Sequence, residues 1–368
     1  MRPSVTAALA IAVASGCSAG PTPPISTLTT TIAVPSFAGT VNAAVAPFVP
    51  VTANGGTPPY TFALTGGTLP TGLDFDPSTG QVSGTPTTTA APTTFTVTGT
   101  DAAGATSAKP FSLAVNRPGQ TTLFRDDFTT LGTRLDVSRW TTEFGDPSFL
   151  GRTQLADWVN GVGHFAVGAG GAELALNTFN PTGFSLYGTH GKTLRAFQPA
   201  AGDTVIFTAR LQLMSASLQP GIVYGVYLYG CQPGACATNH DEIDIELVTN
   251  QLQAGAPLRV QLNRYAHEPL GAGNGGFVGL PNGFDPRVPH DWSIRWSLGR
   301  IAYWVDGTLL ASETTHVPQG PMQATVIAWG PDSGWPAAFN AQLQPVSTIG
   351  QNQRYVALLR FVEIASSP

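Results

Sequence analysis

The chain has 368 residues, of which 42 are glycine and 31 are proline, and its formal net charge is −5. Only 11% of its residues are charged, against about 25% in ordinary globular domains, which excludes a long charged helix, a coiled coil or a polyelectrolyte tail. Because no basic cluster is present, the sequence argues against nucleic acid as a partner. The glycine and proline content indicates short strands joined by turns, so we expect an all-β protein.

The N-terminus has the pattern of a secretory signal. Arg2 precedes an apolar stretch that ends in small residues at Cys17, and this stretch is too short to span a bilayer as a helix. We predict a signal peptide at residues 1–17, whose Ala-Ser-Gly-Cys ending resembles a bacterial lipobox and favours lipidation of Cys17 over plain secretion. We therefore expect an extracellular protein or a cell-surface lipoprotein that meets the membrane only through Cys17. Residues 18–32, rich in Pro, Ser and Thr, predict an extended linker.

Two further cysteines, Cys231 and Cys236, are separated by four residues that include a proline and a glycine. This spacing suits a small disulfide loop in an oxidising compartment. A zinc site is the alternative, but it needs two further ligands close by. We therefore predict a disulfide and no metal.

Residues 33–116 show short alternating strands between turns, the pattern of one small β-sandwich. The segment 55–87, GGTPPYTFALTGGTLPTGLDFDPSTGQVSGTPT, resembles the Ig-like, cadherin-like domain of bacterial secreted proteins. The resemblance implies a spacer or adhesion unit. A sugar-binding module is the alternative, but the aromatic residues here occupy alternating positions typical of a core.

Residues 121–368 follow a short linker and predict a single large β-domain. Apolar and polar residues alternate from Val205 to Leu213 and from Trp292 to Leu298, as on strands with one buried face. Asp306-Gly307 between two strand patterns is a hairpin signal, because both residue types accept a positive φ at low cost.

One segment concentrates acidic residues in a chain that is otherwise poor in charge: HDEIDIELV, residues 240–248. Side chains alternate along a strand, so Glu242, Asp244 and Glu246 share one face while the aliphatic residues between them point into a core. Three adjacent carboxylates repel one another and have no local cation. Folding alone therefore does not explain their placement.

The spacing of these acids suits glycoside hydrolysis. Residues 242 and 246 lie ~13 Å apart along a strand, and if both glutamates lean inward, about 5 Å remains between their carboxyl groups, the separation found in retaining glycosidases. One carboxylate then attacks the anomeric carbon while the other protonates the leaving oxygen. Neighbouring negative charge raises a carboxyl pKa, which keeps the acid protonated near neutral pH.

The Glu-aliphatic-Asp-aliphatic-Glu string resembles the active-site strand of glycoside hydrolase family 16, in the form without an inserted residue. The resemblance extends over residues 123–364 and includes HDWSIRW at 290–296 and YWVDG at 303–307. It implies a concanavalin-like jelly roll whose concave sheet binds glycan, with Glu242 as nucleophile, Glu246 as general acid/base and Asp244 as assisting residue. Some relatives bind a structural calcium through an aspartate where this chain has Ala357 and Leu358, so we expect no calcium and no cofactor.

Sugar-binding clefts combine aromatic platforms with amides, because a neutral sugar offers apolar faces and hydroxyl edges. Candidates here are Trp329 and Trp335 in a Gly/Pro-rich segment, Asn263 by resemblance to a family position, and Tyr227 and His240. Tyr227 is equally consistent with a core position, and His240 with the end of a loop.

Together these features predict a secreted or surface-anchored retaining endo-β-glycanase, monomeric, that acts on β-1,3-1,4- or β-1,3-glucan. A transglycosylase with the same machinery is one alternative, since only the acceptor differs. A non-catalytic lectin on the same sheet is the other, but a pure binder does not need paired acids.

Overall fold

The computed structural model describes residues 27–128, 135–142, 152–155, 166–168, 170–181, 185–231, 238–269 and 272–368. The chain divides into two compact units, Met1–Pro118 and Gly119–Pro368. The predicted signal peptide with Cys17 lies outside the described residues, as does Cys236. No helix in the described part of the chain is long and apolar enough to cross a membrane.

The first unit consists of strands in three small sheets. Its strands are β1 (Thr29–Ile32), β2 (Ser36–Thr40), β3 (Val45–Phe48), β4 (Val51–Asn54), β5 (Thr61–Thr65), β6 (Leu73–Asp76), β7 (Gln81–Gly84), β8 (Ala90–Thr100) and β9 (Thr106–Asn116). The sheets have the orders β1-β4, β2-β9-β8-β5 and β3-β7-β6. Their inward side chains form one core, in which the rings of Phe95 and Phe111 stack with centroids 5.7 Å apart.

The predicted linker at residues 18–32 ends too late along the chain. Residues 29–32 form β1, which pairs with β4. The sequence signal was weak here because Thr-Thr-Thr-Ile has no polar–apolar alternation. Threonine and isoleucine nevertheless favour extended backbone, and β4 supplies the hydrogen-bond partner.

The second unit is also built from strands. Its strands are β10 (Thr121–Asp126), β11 (Trp140–Thr141), β12 (Thr153–Leu155), β13 (Ala166–Gly168), β14 (Gly171–Asn177), β15 (Leu186–Phe197), β16 (Thr204–Leu213), β17 (Val223–Cys231), β18 (His240–Val248), β19 (Arg259–Glu268), β20 (Gly276–Gly279), β21 (His290–Ser297), β22 (Arg300–Val305), β23 (Thr308–Glu313), β24 (Met322–Trp329) and β25 (Arg354–Ser367). Within the described residues the only helical elements are 3-10 turns at Ser215–Leu218, Thr249–Gln251 and Ile349–Gln351. The prediction of an all-β protein is confirmed.

The strands of the second unit form two layers that share β15. One layer has the order β20-β19-β18-β17-β24-β15, and the other continues through β14-β25-β16-β21-β22-β23. The core between them contains Ile243 and Ile245 from the first layer and Trp292, Ile294 and Trp296 from the second. This two-layer sandwich agrees with the jelly roll that the family resemblance implies.

The hairpin between β22 and β23 turns at the dipeptide that the sequence singled out. Asp306 and Gly307 have φ values of 48° and 78°, the left-handed conformation of a two-residue hairpin turn. His290 Nδ1 lies 2.6 Å from Asp306 Oδ2, which ties this turn to the neighbouring strand β21.

Candidate active site

The strand β18 lies inside its sheet, between β17 and β19. Ile243, Ile245 and Leu247 are buried in the core between the two layers. Because strand side chains alternate, Glu242, Asp244 and Glu246 lie on the opposite face of the sheet. We call this opposite surface of β17, β18, β19 and β24 the site face.

The cross-strand neighbours of the three acids are aromatic or amide residues. On β17, Tyr229 pairs with Glu242, Tyr227 with Asp244 and Gly225 with Glu246. On β19, the corresponding partners are Tyr265, Asn263 and Gln261.

Gly225 leaves the space beside Glu246 without a side chain. A Cβ atom at Gly225 would lie 2.9 Å from Cγ2 of Ile327, closer than ordinary contact. The close approach of Ile327 therefore requires a glycine at this position, while Gln261 borders the other flank of Glu246.

The three carboxyl groups hold protons more tightly than free carboxyls do. Burial is the main cause for each of them. The pKa of Glu246 is raised by burial and by the charge of Asp244. The pKa of Asp244 is raised by burial, by the charge of Glu242 and by a hydrogen bond with Glu242.

The hydrogen bond between Glu242 and Asp244 shifts their two pKa values in opposite directions. Burial and the charge of Glu246 raise the pKa of Glu242, but its hydrogen bond with Asp244 lowers it. The same hydrogen bond raises the pKa of Asp244. Within this pair the proton therefore resides on Asp244, which donates it to Glu242, so that Glu242 is the carboxyl that ionises first.

Protonation of Asp244 makes the stability of the second unit depend on pH. The pKa of Asp244 is raised only in the folded state, so above about pH 4 the folded chain binds more protons than the unfolded one and stability falls as pH rises. Asp244→Asn removes this cost of up to about 1.4 kcal/mol per pH unit. We expect the stability of the variant relative to the native chain to rise progressively as the pH increases above about 4.

The measurement is thermal melting followed by tryptophan fluorescence, since all seven tryptophans follow residue 119 and report on the second unit. Each kcal/mol corresponds to roughly 2–4 °C in a domain of this size. Asp203→Asn, a substitution in the turn before β16, serves as the control. If the difference in melting temperature between Asp244→Asn and the native chain does not change with pH, the prediction is wrong.

His240 lies on the same face as the acids, but its side chain is completely covered, with an exposed fraction of 0%. Its Nε2 atom is 3.1 Å from Oε2 of Glu242. The sequence suggested His240 as a substrate contact. The structure instead places it behind Glu242, where it contacts a proposed catalytic group and not the solvent.

The candidate sugar-binding aromatic residues lie at one end of the site face. Trp329 is the last residue of β24 and Trp335 lies in the loop that follows. Both rings are half-buried, with centroids 5.8 Å apart and planes inclined by 31°. Tyr227 is buried and packs with Leu155 and Ile327, so it forms the floor of the site face.

The glycine-rich segment at residues 272–276 packs against the site face. A Cβ atom at Gly273 would lie 2.4 Å from Nδ2 of Asn263 and 2.6 Å from the hydroxyl of Tyr265. Asn274 is held by Arg264, which accepts its N–H at 3.0 Å and donates to its carbonyl at 2.6 Å. These contacts fix the segment beside Asn263.

The sequence pattern did not identify two residues of the site face as candidate functional residues. Gln261 lies beside Glu246, and Tyr265 accepts a hydrogen bond of 3.2 Å from Asn263. The alternation Gln261, Asn263, Tyr265 was the available signal, but it gains meaning only once β19 is known to pair with β18.

No cluster of three or more His, Cys, Asp or Glu side chains in the described residues has an arrangement that holds a metal ion. Cys231 is disulfide-bonded. Its predicted partner, Cys236, lies outside the described residues.

The sequence profile described as "Glycosyl hydrolases family 16" matches residues 156–345, just over half of the chain. The chain belongs to this family. A second profile, described as "Putative Ig domain", matches residues 26–116. The second unit is therefore a family 16 domain, and an Ig-like domain precedes it.

A curated relative, the "Beta-glucanase" of Paenibacillus polymyxa, is 33% identical over 138 residues, which are 35% of this chain and 52% of that protein. The chain thus spans about half the length of this curated relative.

The family 16 domain also resembles solved structures. An endo-beta-1,3-glucanase from Pyrococcus furiosus has a TM-score of 0.52 at 18% identity and covers 68% of this chain and 95% of its own. An endo-1,3-beta-glucanase from Streptomyces sioyaensis has a TM-score of 0.51 at 17% identity, and the match covers 68% of this chain and 98% of that chain. These likenesses confirm the jelly-roll fold.

Proposed function

We propose that this family 16 chain is an endo-acting β-glucanase that cleaves β-1,3-1,4- or β-1,3-glucan with retention of anomeric configuration. The observation that carries the proposal is the row Glu242, Asp244 and Glu246 on the site face of β18. Membership of the family and the similarity to a protein named Beta-glucanase support the substrate class.

The proposed reaction has two steps. The Glu242 carboxylate attacks the anomeric carbon while Glu246 donates its proton to the glycosidic oxygen, so that the bond to the leaving sugar breaks. Glu246 then removes a proton from water, and the resulting attack on the same carbon releases Glu242. The raised pKa of Glu246 suits its role as acid, because a general acid must hold its proton near neutral pH.

The side chains around the row suit a neutral polysaccharide. Asn263 and Gln261 offer amide groups to sugar hydroxyls on the β19 side. Trp329 and Trp335 offer half-buried aromatic faces on which the apolar face of a sugar ring packs. We propose these four residues as the glycan contacts of the enzyme.

The N-terminal sequence supports a location outside the cell. We propose that residues 1–17 direct export, that Cys17 is lipidated, and that the Ig-like unit acts as a spacer between anchor and enzyme. Mass spectrometry of the exported N-terminus would identify a diacylglycerol-modified cysteine. An unmodified N-terminus downstream of Cys17 would contradict lipidation and favour plain secretion.

The function is tested with the full chain on barley β-glucan, laminarin, xyloglucan and agarose. We expect reducing ends from the first two substrates, and proton NMR of early products should show the β-anomer before mutarotation. Addition of oligosaccharide acceptors with mass spectrometry distinguishes hydrolysis from transglycosylation. An α-anomer as the first product would contradict retention, and binding without any bond cleavage would favour a lectin.

A further inference from the structure

The ring of His240 is enclosed by two tyrosines from the strands on either side. The ring of Tyr229 on β17 stacks on it with centroids 5.5 Å apart and planes inclined by 29°. Tyr265 on β19 approaches to 4.4 Å at 40°. Because both neighbours belong to hydrogen-bonded strands, the imidazole is held in one orientation, with Nε2 directed at Glu242.

The two ring nitrogens have different surroundings. Nε2 lies 3.1 Å from Oε2 of Glu242, whereas Nδ1 is buried and makes no hydrogen bond of acceptable geometry among the described residues, although the main chain of Glu268 lies near the ring. A buried N–H without a partner costs free energy. The proton of a neutral ring is therefore better placed on Nε2, where it is donated to Glu242.

Burial and the neighbouring charges act on the pKa of His240 in opposite directions. Burial lowers the pKa of His240, while the main chain of Glu268 and the carboxylates of Asp241 and Glu268 favour the charged form. The net direction is downward, so the ring is neutral near neutral pH. Asp241 points to the other side of the strand, where it accepts N–H groups from His267 at 2.8 Å and Gly320 at 3.2 Å.

We propose that His240 is a positioning residue for the nucleophile: its Nε2–H donates to Oε2 of Glu242, fixes the carboxylate and favours its ionised form. This inference rests on the proposed function, because it assigns His240 a role in the step that Glu242 performs. Tyr229 and Tyr265 hold the donor in place. Asp244 supplies the second hydrogen bond to the same carboxyl group.

The first test is long-range nitrogen–proton NMR on the full native chain labelled with 15N-histidine. The chain has six histidines, and the His240 signals are identified by their absence in His240→Phe. We expect a neutral ring at pH 7 with a proton on Nε2 and a bare Nδ1. A charged ring, or a proton on Nδ1, would overturn the proposal without requiring any activity.

The second test compares two variants by their pH profiles of kcat/KM on β-glucan. His240→Phe keeps a ring between the two tyrosines but removes the donor, so the acidic limb should move to higher pH by roughly one unit. His240→Gln keeps an N–H donor at a similar reach and should retain the native limb. The acidic limb reports the ionisation of the nucleophile in the free enzyme.

The outcomes separate the inference from the function. If the native chain cleaves no glucan, the proposed function fails, while the NMR measurement still decides the hydrogen bond. If the native chain is active and His240→Phe shows an unmoved acidic limb, the positioning role is wrong even if kcat falls. If His240→Phe fails to fold, tryptophan fluorescence will reveal it. In that case the test uses the pH profile of His240→Gln and the NMR spectrum of the native chain. The His240 NMR signals are then identified by their absence in His240→Gln.

Discussion

Glu242→Gln should abolish glucan cleavage, with a loss of kcat of about 10,000-fold or more. The amide has nearly the shape of the carboxylate but cannot donate an electron pair to the anomeric carbon as a carboxylate does. The variant should still bind oligosaccharide, because Asn263, Gln261, Trp329 and Trp335 are unchanged. Initial rates with barley β-glucan and calorimetric binding of a cello-oligosaccharide measure the two properties separately.

The matched control is Glu173→Gln, which also replaces one glutamate by glutamine in the second unit. Glu173 lies on β14 and forms an ion pair of 2.8 Å with Arg354, outside the site face. We expect native kinetics for this variant. Native-like turnover of Glu242→Gln would disprove the assignment of the nucleophile, whereas loss of both turnover and folding would require comparison of melting curves.

Glu246→Ala should lower kcat on β-glucan by about 100- to 10,000-fold, the usual contribution of a general acid or base. The loss should be smaller in the first step for an aryl glycoside with an acidic leaving group, because such a group departs without protonation. A covalent glycosyl-enzyme should then accumulate on Glu242. Mass spectrometry of the intact variant detects this adduct.

Azide gives a second readout for Glu246→Ala. The small anion needs no general base, so it should attack the accumulated intermediate and restore turnover of the aryl glycoside. Because this attack comes from the face that water uses in a retaining enzyme, the product should be the β-glycosyl azide. An α-glycosyl azide would show that Glu246 is the nucleophile and that the two roles are exchanged.

The order in which the row loses protons follows from its setting inside the sheet. Burial raises the pKa of all three acids, so both limbs of the activity profile should lie above the pH expected for free carboxyls. At Glu242 alone, the hydrogen bond from Asp244 lowers the pKa and so opposes the effect of burial. One ionised and one protonated glutamate can therefore coexist, as the proposed double displacement requires.

The sequence alone determined the face on which each residue of β18 lies. Alternation is a local property of extended backbone, so the row of acids and the aliphatic residues Ile243 and Ile245 could be placed before any fold was known. The turn at Asp306-Gly307 was predictable for the same reason, since positive φ is a property of those residue types.

The surroundings of these acids depend on long-range strand pairing. The pairing of β18 with β17 and β19 sets Tyr229 and Tyr265 around His240, and the pairing of β17 with β24 joins residues about 100 positions apart in the chain. Alternation does not specify such partners, because many strands of similar pattern compete to pair with one another. The burial of His240, and with it the change from a substrate contact to a support for Glu242, followed from that pairing.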